Sequence, residues 1–288
     1  MASTTTDASA AGAIVLGGDL EVCRLGFGAM RLTGEGIWGP PADREVAKAV
    51  LRRAVELGIN FIDTADSYGP EVSEELIAEA LHPYPEGLVI ATKGGLTRPG
   101  PGRWERDGSP EHLREACEGS LRRLRLERID VYQLHAVDRR VPLEESVGTL
   151  AELREEGKIA RVGLSNVDEA ELERAREIVP VVSVQNRYSV AERQSEPVLD
   201  RCERERLAFI PWGPLRAVAG SRDGAIGRVA DAHGATELQV ALAWLLARSQ
   251  AMLPIPGTSS VEHLEENVAA AGLRLSEEEF GELTALAA

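Results

Sequence analysis

Residues 60–93, NFIDTADSYGPEVSEELIAEALHPYPEGLVIATK, contain the pattern that decides the fold. A short β-rich run, NFIDTA, is followed by a helical pattern over residues 71–81 and then by a second β-rich run, GLVIATK. Short apolar strands that alternate with helices are typical of βαβ units, in which the two strands lie parallel in one sheet. The stretch therefore predicts a parallel sheet covered by helices.

The same alternation extends along the chain. Helical patterns, each after a β-rich run, are also expected over 43–57, 110–124, 143–156, 168–178, 193–206, in two pieces within 223–248, and over 260–271. Apolar runs around Gly17-Gly18-Asp19 predict an N-terminal β-hairpin, and a last helix is expected over 276–286. Eight βα units without a linker predict an α/β protein with a single (β/α)8 TIM barrel over 13–288, the N-terminal β-hairpin and extra C-terminal helices. Residues 1–12 are expected to be a flexible tail.

Length and composition narrow the functional classes. A chain of 288 residues suits one such barrel. Its 32 Lys and Arg against 47 Asp and Glu give a net charge of −15, which disfavours binding to nucleic acid or to an anionic membrane. The three cysteines are scattered, so they offer no metal site and suit a reducing compartment. Without an export signal, a membrane-spanning run or a coiled coil, we expect a cytoplasmic monomer.

Ionisable residues follow three consecutive predicted strands. Barrel enzymes carry their chemistry at the C-terminal ends of the strands. Asp63 stands at the end of one predicted strand with Tyr68 in the loop after it, and Lys93 and His135 stand at the ends of the next two strands. Taken singly, Tyr68 could be a packing aromatic and His135 a structural histidine. Lys93 ends a buried strand, so it needs a carboxylate partner, and Asp63 on the neighbouring strand can be that partner. Together at one rim, the four residues favour a functional site.

The chemistry of these side chains suggests a reaction. A phenol has a pKa of about 10, so Tyr68 needs a neighbouring cation to become a proton donor near neutral pH. Lys93, oriented by Asp63, can be that cation. Tyr68 could then protonate an oxygen on which negative charge builds, while His135 donates a second hydrogen bond to it. Carbonyl reduction is such a reaction, and its hydride must come from a cofactor.

These residues lie in motifs that resemble the aldo-keto reductase family. The similarity extends from LGFGAMRL to PGTSSVEHLEEN, with FIDTADSYG, VIATKGG, VYQLHAVD, ARVGLSN, VQNRYS and IPWGPL between them in order. The resemblance implies a hairpin-plugged barrel and an oxidoreductase that reduces aldehydes and ketones with NADP(H). It also implies a catalytic tetrad of Asp63, Tyr68, Lys93 and His135 and a small-molecule carbonyl substrate.

The resemblance also implies contacts to the nicotinamide half of the cofactor. Ser165, Asn166 and Gln185 are expected to hold the carboxamide, and Trp212 to stack on the ring. Further expected cofactor contacts are Gly28, Ala29, Met30 and Arg31 along the inner side, Gly213, Pro214, Leu215 and Arg216 along the pyrophosphate, and Asp63. The alternatives are a helix-start cap for Ser165 and Asn166, and core packing for Trp212.

The adenosine half is expected at the start of the last βα unit. Thr258, Ser259 and the free N–H groups of a helix N-terminus favour an anion there. Where many relatives have a lysine and an arginine for the 2′-phosphate, this chain has Gly257 and His263. Histidine is a weaker, pH-dependent cation, so NADP(H) is the expected cofactor and NAD(H) the alternative. The remaining expected contacts, to the adenine, are Glu266 and Asn267.

The substrate pocket is expected to be aromatic. Its candidate walls are Trp38, Tyr68, Trp104 and His135. The segment 97–109, TRPGPGRWERDGS, is interpreted as a mobile loop over the site, with a plain surface connection as the alternative. Arg98, Arg103 and Arg106 are interpreted as solvated surface charges, with binding of an anionic substrate as the alternative. Two other functions remain open: a cofactor-sensing regulatory subunit with little turnover, and an aldolase-like barrel in which Lys93 forms a Schiff base.

Overall fold

A parallel β-sheet forms the centre of the protein. The computed structural model describes residues 7–213 and 224–287. The strands of the described residues are β1 Ala13–Leu16, β2 Leu20–Cys23, β3 Phe27–Gly28, β4 Phe61–Asp63, β5 Val89–Gly94, β6 Leu96–Gly100, β7 Arg103–Arg106, β8 Ile129–Leu134, β9 Ile159–Ser165, β10 Val181–Arg187 and β11 Ala208–Trp212. Seven of them pair in parallel in the order β3, β4, β5, β8, β9, β10, β11.

The segment 251–255 closes this sheet into a barrel. On one side the Phe209 amide donates to Ala251 at 2.8 Å, and the Leu253 amide donates back to Phe209 at 2.9 Å. On the other side the Gly26 amide donates to Pro254 at 2.9 Å, next to β3. The segment therefore takes the place of the eighth strand, and the predicted (β/α)8 barrel is confirmed.

Helices cover the outside of the barrel at nearly the predicted positions. They are α1 Arg44–Glu56, α2 Val72–Leu81, α3 Pro110–Leu124, α4 Leu143–Glu155, α5 Glu169–Arg176, α6 Glu196–Glu205, α7 Ala225–His233, α8 Glu237–Arg248, α9 Val261–Ala269 and α10 Glu277–Thr284. Local sequence fixes their starts. Ser109 caps α3 with Pro110 in its first turn, and Ser276 forms a capping box with Glu279 in α10. Among the described residues, no helix is both long and apolar enough to cross a membrane.

The N-terminal hairpin plugs one end of the barrel. Strands β1 and β2 pair antiparallel around Gly17 and Gly18, whose φ angles of 64° and 88° favour glycine in the turn. Leu16 and Val22 of the hairpin pack against barrel residues that mostly begin strands, among them Phe61, Val89, Val182 and Ala208. The plug therefore closes the N-terminal end of the strands and leaves the C-terminal end for a site.

Two segments differ from the sequence interpretation. Within the predicted tail, Ala8–Ala11 form a 3-10 helix capped by Asp7, and the buried Ala8 donates its amide to Leu57 at 2.8 Å. Small alanine side chains let this turn pack closely on the barrel, so the ordered chain begins before residue 13. The segment 97–109, interpreted as a mobile loop, contains most of the antiparallel strands β6 and β7, which form a hairpin.

Arg24, which follows β2, ties the hairpin to the closing segment. It is 5% exposed, and its guanidinium donates to Leu246 at 2.8 Å, to Ser249 at 2.5 Å and to Met252 at 3.3 Å. Carbonyl groups at the end of a helix have no partner within the helix, and Arg24 supplies donors at the end of α8.

We expect Arg24→Met to lower the free energy of unfolding by about 2–4 kcal/mol, because buried carbonyl groups lose a charged donor. Urea unfolding measures the change. The control is Arg204→Met on α6, an exposed position, where a change within about 0.5 kcal/mol is expected. Equal stability of the two variants would contradict the role given to Arg24.

Candidate active site

The C-terminal rim of the barrel brings the four predicted residues together. Asp63 ends β4, Lys93 lies near the end of β5, His135 follows β8, and Tyr68 lies in the loop after β4. The Lys93 ammonium donates to Asp63 Oδ1 at 2.6 Å, to the Thr64 carbonyl at 2.8 Å and to the Tyr68 hydroxyl at 3.2 Å. Lys93 is fully buried and Asp63 is 1% exposed, so the pair is shielded from water.

The second oxygen of the Asp63 carboxylate is held by two glutamines. Gln133 donates its amide to Asp63 Oδ2 at 3.0 Å, and Gln185 donates to the same atom at 2.8 Å. Gln185, which is expected to contact a nicotinamide carboxamide, directs its side-chain amide at Asp63. Gln133 was not among the predicted site residues. The sign of Gln133 in the sequence is one amide side chain within the apolar strand IDVYQL.

Burial and the ion pair act in opposite directions on the pKa values of this cluster. Burial lowers the pKa of Lys93, but Asp63 and Tyr68 more than compensate, so the net shift is upward and Lys93 is a cation. Burial also raises the pKa of Tyr68, and Lys93 only partly opposes this effect. Lys93 thus acts on the Tyr68 pKa in the direction expected of a neighbouring cation, but burial outweighs it and the net shift is upward. Tyr68 is a protonated phenol at neutral pH.

His135 faces Tyr68 as a neutral imidazole. Its ring lies edge-on to Tyr68 with the centroids 5.7 Å apart, and its backbone amide donates to Gly94 at 2.9 Å. Burial, with a smaller contribution from the Lys93 charge, holds the His135 pKa well below its ordinary value of 6.5. Ser67 Oγ lies 3.4 Å from Nδ1 of His135. The ring can therefore offer one N–H donor without bringing a positive charge.

Trp104 and Trp38 surround the mouth above these residues. Trp104, at the tip of the β6–β7 hairpin, is 37% exposed and lies 6.4 Å from Tyr68 and 6.5 Å from His135 between ring centroids. Arg98 of β6 stacks 3.6 Å from Trp104 and 5.5 Å from Trp38. Arg98 is 9% exposed, so its interpretation as a solvated charge is wrong. Arg103, with its surface partner Glu105, fits that interpretation.

The residues expected at the nicotinamide form a connected group on β9 to β11. Asn166, with a φ of 58°, donates to Ser165 and to the His135 carbonyl at 3.0 Å each, and accepts from the Trp212 indole at 2.9 Å. Asp168 caps α5 in a capping box, so Ser165 and Asn166 are not the helix cap. A hydroxyl, an amide and an indole therefore lie together at one rim, where they suit a carboxamide and an aromatic ring.

The neighbouring wall of the rim, formed by β3 and the residues after the closing segment, depends on glycines. A Cβ at Gly28 would lie 2.7 Å from the Ile255 carbonyl, and one at Gly257 would lie 2.4 Å from the Gly28 carbonyl. Both positions therefore need glycine. The expected cofactor contacts Ala29, Met30 and Arg31 lie in a 3-10 helix over Ala29–Leu32. Gly213 is described with a φ of 65°, whereas Pro214, Leu215 and Arg216 lie outside the described residues.

The start of α9, where an anion site is expected, has a helix N-terminus and nearby hydroxyl groups. Ser260 is the N-cap and accepts from His263 N at 3.3 Å, and Thr258 accepts from Ser260 N at 3.1 Å. Ser259 and His263 are exposed. Of the expected adenine contacts, Glu266 is half-buried and Asn267 is 5% exposed. Free N–H groups and hydroxyls at this helix start suit a phosphate.

Because the His135 pKa is low in the folded protein, the contribution of His135 to the free energy of unfolding depends on pH. The unfolded chain takes up a proton at this residue as the pH falls below about 6.5, and the folded protein does not. From pH 7 to pH 5 we therefore expect wild type to lose up to about 2 kcal/mol more stability than His135→Asn. Urea unfolding at both pH values measures this difference, and equal losses would show that His135 titrates normally.

Comparisons with known proteins identify the family of this chain. Residues 24–288 match the family model of the Aldo/keto reductase family. An uncharacterized oxidoreductase of Schizosaccharomyces pombe is 51% identical over 98% of this chain and 92% of its own length. Pyridoxine 4-dehydrogenase of Escherichia coli is 45% identical over 91% of this chain and 93% of its own length.

A solved structure is also similar. It is the aldo/keto reductase from Klebsiella pneumoniae in complex with NADP and acetate, which is 31% identical with a TM-score of 0.80 and covers 95% of this chain and 94% of its own. The matching motifs, the closed barrel and the family match together show that this chain belongs to the aldo/keto reductase family.

Proposed function

We propose that this protein is an NADP(H)-dependent oxidoreductase that reduces an aldehyde or a ketone to the alcohol. The observation that carries the proposal is the contact of the Lys93 ammonium with both Asp63 and Tyr68, at 2.6 and 3.2 Å, beside the His135 ring. A proton donor, a cation and a neutral hydrogen-bond donor then surround one position at the rim. The NADP complex of the Klebsiella relative supports the choice of cofactor.

Each side chain has a separate task in the proposed reaction. Bound NADPH supplies the hydride to the carbonyl carbon. Tyr68 donates its proton to the carbonyl oxygen, and Lys93 stabilises the phenolate that remains, which lowers the cost of transferring the proton. When the Ser67 hydroxyl donates to Nδ1 of His135, 3.4 Å away, the proton of the neutral ring lies on Nε2, and this N–H can donate to the same oxygen. The product alcohol carries the hydride on carbon and the proton on oxygen.

The geometry argues against the Schiff-base alternative. A nucleophilic lysine must lose its proton. The Lys93 ammonium instead has three acceptors, in Asp63, Thr64 and Tyr68, and its pKa is raised despite burial. Lys93 therefore suits an electrostatic task and not a covalent one.

The aromatic rim favours an aromatic or other apolar carbonyl compound. Trp104 lies within 6.5 Å of both Tyr68 and His135 between ring centroids, and can contact a ring whose carbonyl group reaches them. The name of the E. coli relative, a dehydrogenase of pyridoxine, supports testing aromatic alcohols in the oxidative direction as well.

Tyr68→Phe tests the proton donor. With aromatic aldehydes we expect kcat to fall by about 10²–10⁴-fold, because the transition state loses its acid. The dissociation constant of NADPH should change less than about threefold, because uniform binding is untouched. NADPH absorbance and fluorescence measure the two quantities.

The matched control is Tyr84→Phe, which removes a phenol that donates to Leu124 away from the rim and should keep wild-type kcat. Unchanged turnover in Tyr68→Phe would remove Tyr68 from the reaction. Tight NADPH binding by the wild type, with no turnover of any carbonyl or alcohol, would favour the regulatory subunit instead.

His263→Arg tests the phosphate site at the start of α9. A permanent guanidinium there should improve NADPH affinity about fivefold and leave NADH affinity nearly unchanged, because an exposed ion pair contributes about 1 kcal/mol at most. Glu111→Gln, in the first turn of α3, makes the net charge more positive at a different helix start and controls for general attraction. An equal gain for both cofactors would contradict this position for the 2′-phosphate.

A further inference from the structure

Arg98 is a buried cation held by backbone groups. Its guanidinium donates to four carbonyl oxygens, at 3.0 Å to Arg103, 2.9 Å to Ile37, 3.0 Å to Ser67 and 3.2 Å to Gly36. Its face covers the Trp104 ring at 3.6 Å. Buried charges are usually paired with an opposite charge. Here carbonyl dipoles and an aromatic face take that place, so the position of Arg98 depends on several chain segments at once.

The acceptors of Arg98 belong to three segments that meet only in the folded chain. Gly36 and Ile37 precede Trp38, Ser67 precedes Tyr68, and Arg103 precedes Trp104. Ile37, Ser67 and Arg103 each come directly before an aromatic residue of the mouth, and Gly36 lies one position earlier. A planar guanidinium with five N–H donors can hold three such segments in fixed directions, and a lysine ammonium cannot.

The contact with Ser67 connects Arg98 to the catalytic residues. The carbonyl that Arg98 holds belongs to the peptide bond between Ser67 and Tyr68, and the Ser67 hydroxyl lies 3.4 Å from Nδ1 of His135. Rotation of this peptide bond would move the Tyr68 hydroxyl away from Lys93 and the Ser67 hydroxyl away from the His135 ring. A displacement of about 1 Å at reacting groups can cost about 100-fold in rate.

We propose that Arg98 is a positioning residue, which joins the three segments into one substrate mouth and, through Ser67, sets the directions of Tyr68 and His135. This proposal rests on carbonyl reduction as the proposed function. It goes beyond that function because Arg98 lies on the β6–β7 hairpin, whereas the groups that it aligns lie in the loop after β4 and at the end of β8.

Arg98→Met and Arg98→Lys test the proposal in the full chain, well below the melting temperature of each variant. We expect kcat for an aromatic aldehyde to fall about tenfold or more in both, because neither can hold all three segments. The dissociation constant of NADPH should stay within about threefold of wild type. The control is Arg122→Met on α3, an exposed arginine, which removes one positive charge and should keep wild-type kcat.

A double-mutant cycle tests the route through Ser67. Ser67→Ala keeps the carbonyl that Arg98 holds and removes the hydroxyl beside His135, so if Arg98 acts on His135 through this hydroxyl, Ser67→Ala should lower kcat less in the Arg98→Met background than in wild type. Multiplying losses would overturn that route. Wild-type kcat in Arg98→Met together with a lowered melting temperature would show a purely structural role, and wild-type kcat in Arg98→Lys would overturn the need for the guanidinium.

If Arg98→Met does not fold, Arg98→Lys is judged by the same criteria. The proposed function fails separately, when the wild-type protein reduces no carbonyl compound or when Tyr68→Phe keeps full activity. A wild type that is active and sensitive to Tyr68→Phe, with Arg98 variants that keep their kcat, would overturn the positioning role alone.

Discussion

The buried ion pair between Lys93 and Asp63 is the interaction on which the rim of the barrel depends. An isolated charge at such a depth would cost several kcal/mol of desolvation, and the attraction of the partner offsets this cost only when the remaining hydrogen bonds are made. Here they are made. Asp63 accepts from Lys93 and from two glutamines, and Lys93 donates to three oxygens. The ends of β4, β5, β8 and β10 must therefore meet in one arrangement.

The two ends of the barrel have different roles: one contributes to stability, and the other carries the candidate active site. The N-terminal end is closed by the apolar hairpin, and Arg24 ties it to the end of α8 and to the closing segment. The C-terminal end keeps polar groups that an apolar core would exclude, and it holds them in place through hydrogen bonds. Because the rigid scaffold is stabilised elsewhere, the rim can carry a charge pair, a neutral imidazole and a half-exposed tryptophan without being the main source of stability.

Local patterns allowed much of the fold to be predicted from the sequence. The alternation of strands and helices, Ser109 before Pro110 and the Ser276 capping box are local signals, and each appears in the structure as expected. The position of Asp63, Tyr68, Lys93 and His135 at one rim followed from the rule on strand ends, and the structure does bring them together.

The parts that the sequence did not reveal depend on contacts between distant segments. Arg98 looked like a surface charge because its acceptors are backbone carbonyls of three segments, and backbone groups leave no pattern in a sequence. Gln133 looked like one polar residue in an apolar strand, since its partner lies 70 residues away. The 3-10 helix over Ala8–Ala11 depends on the surface of the barrel against which it packs, and a composition of small residues gives no sign of it.

The central claim is that Lys93 and Asp63 act on Tyr68 as one unit. The most direct test measures the single-turnover rate of NADPH oxidation, at saturating cofactor and aldehyde, in Asp63→Asn, in Lys93→Met and in the double variant. If the pair acts as a unit, the double variant should be no slower than the slower single variant, because either change already removes the organised cation. Losses that multiply in the double variant would show that the two residues act independently and would contradict the account.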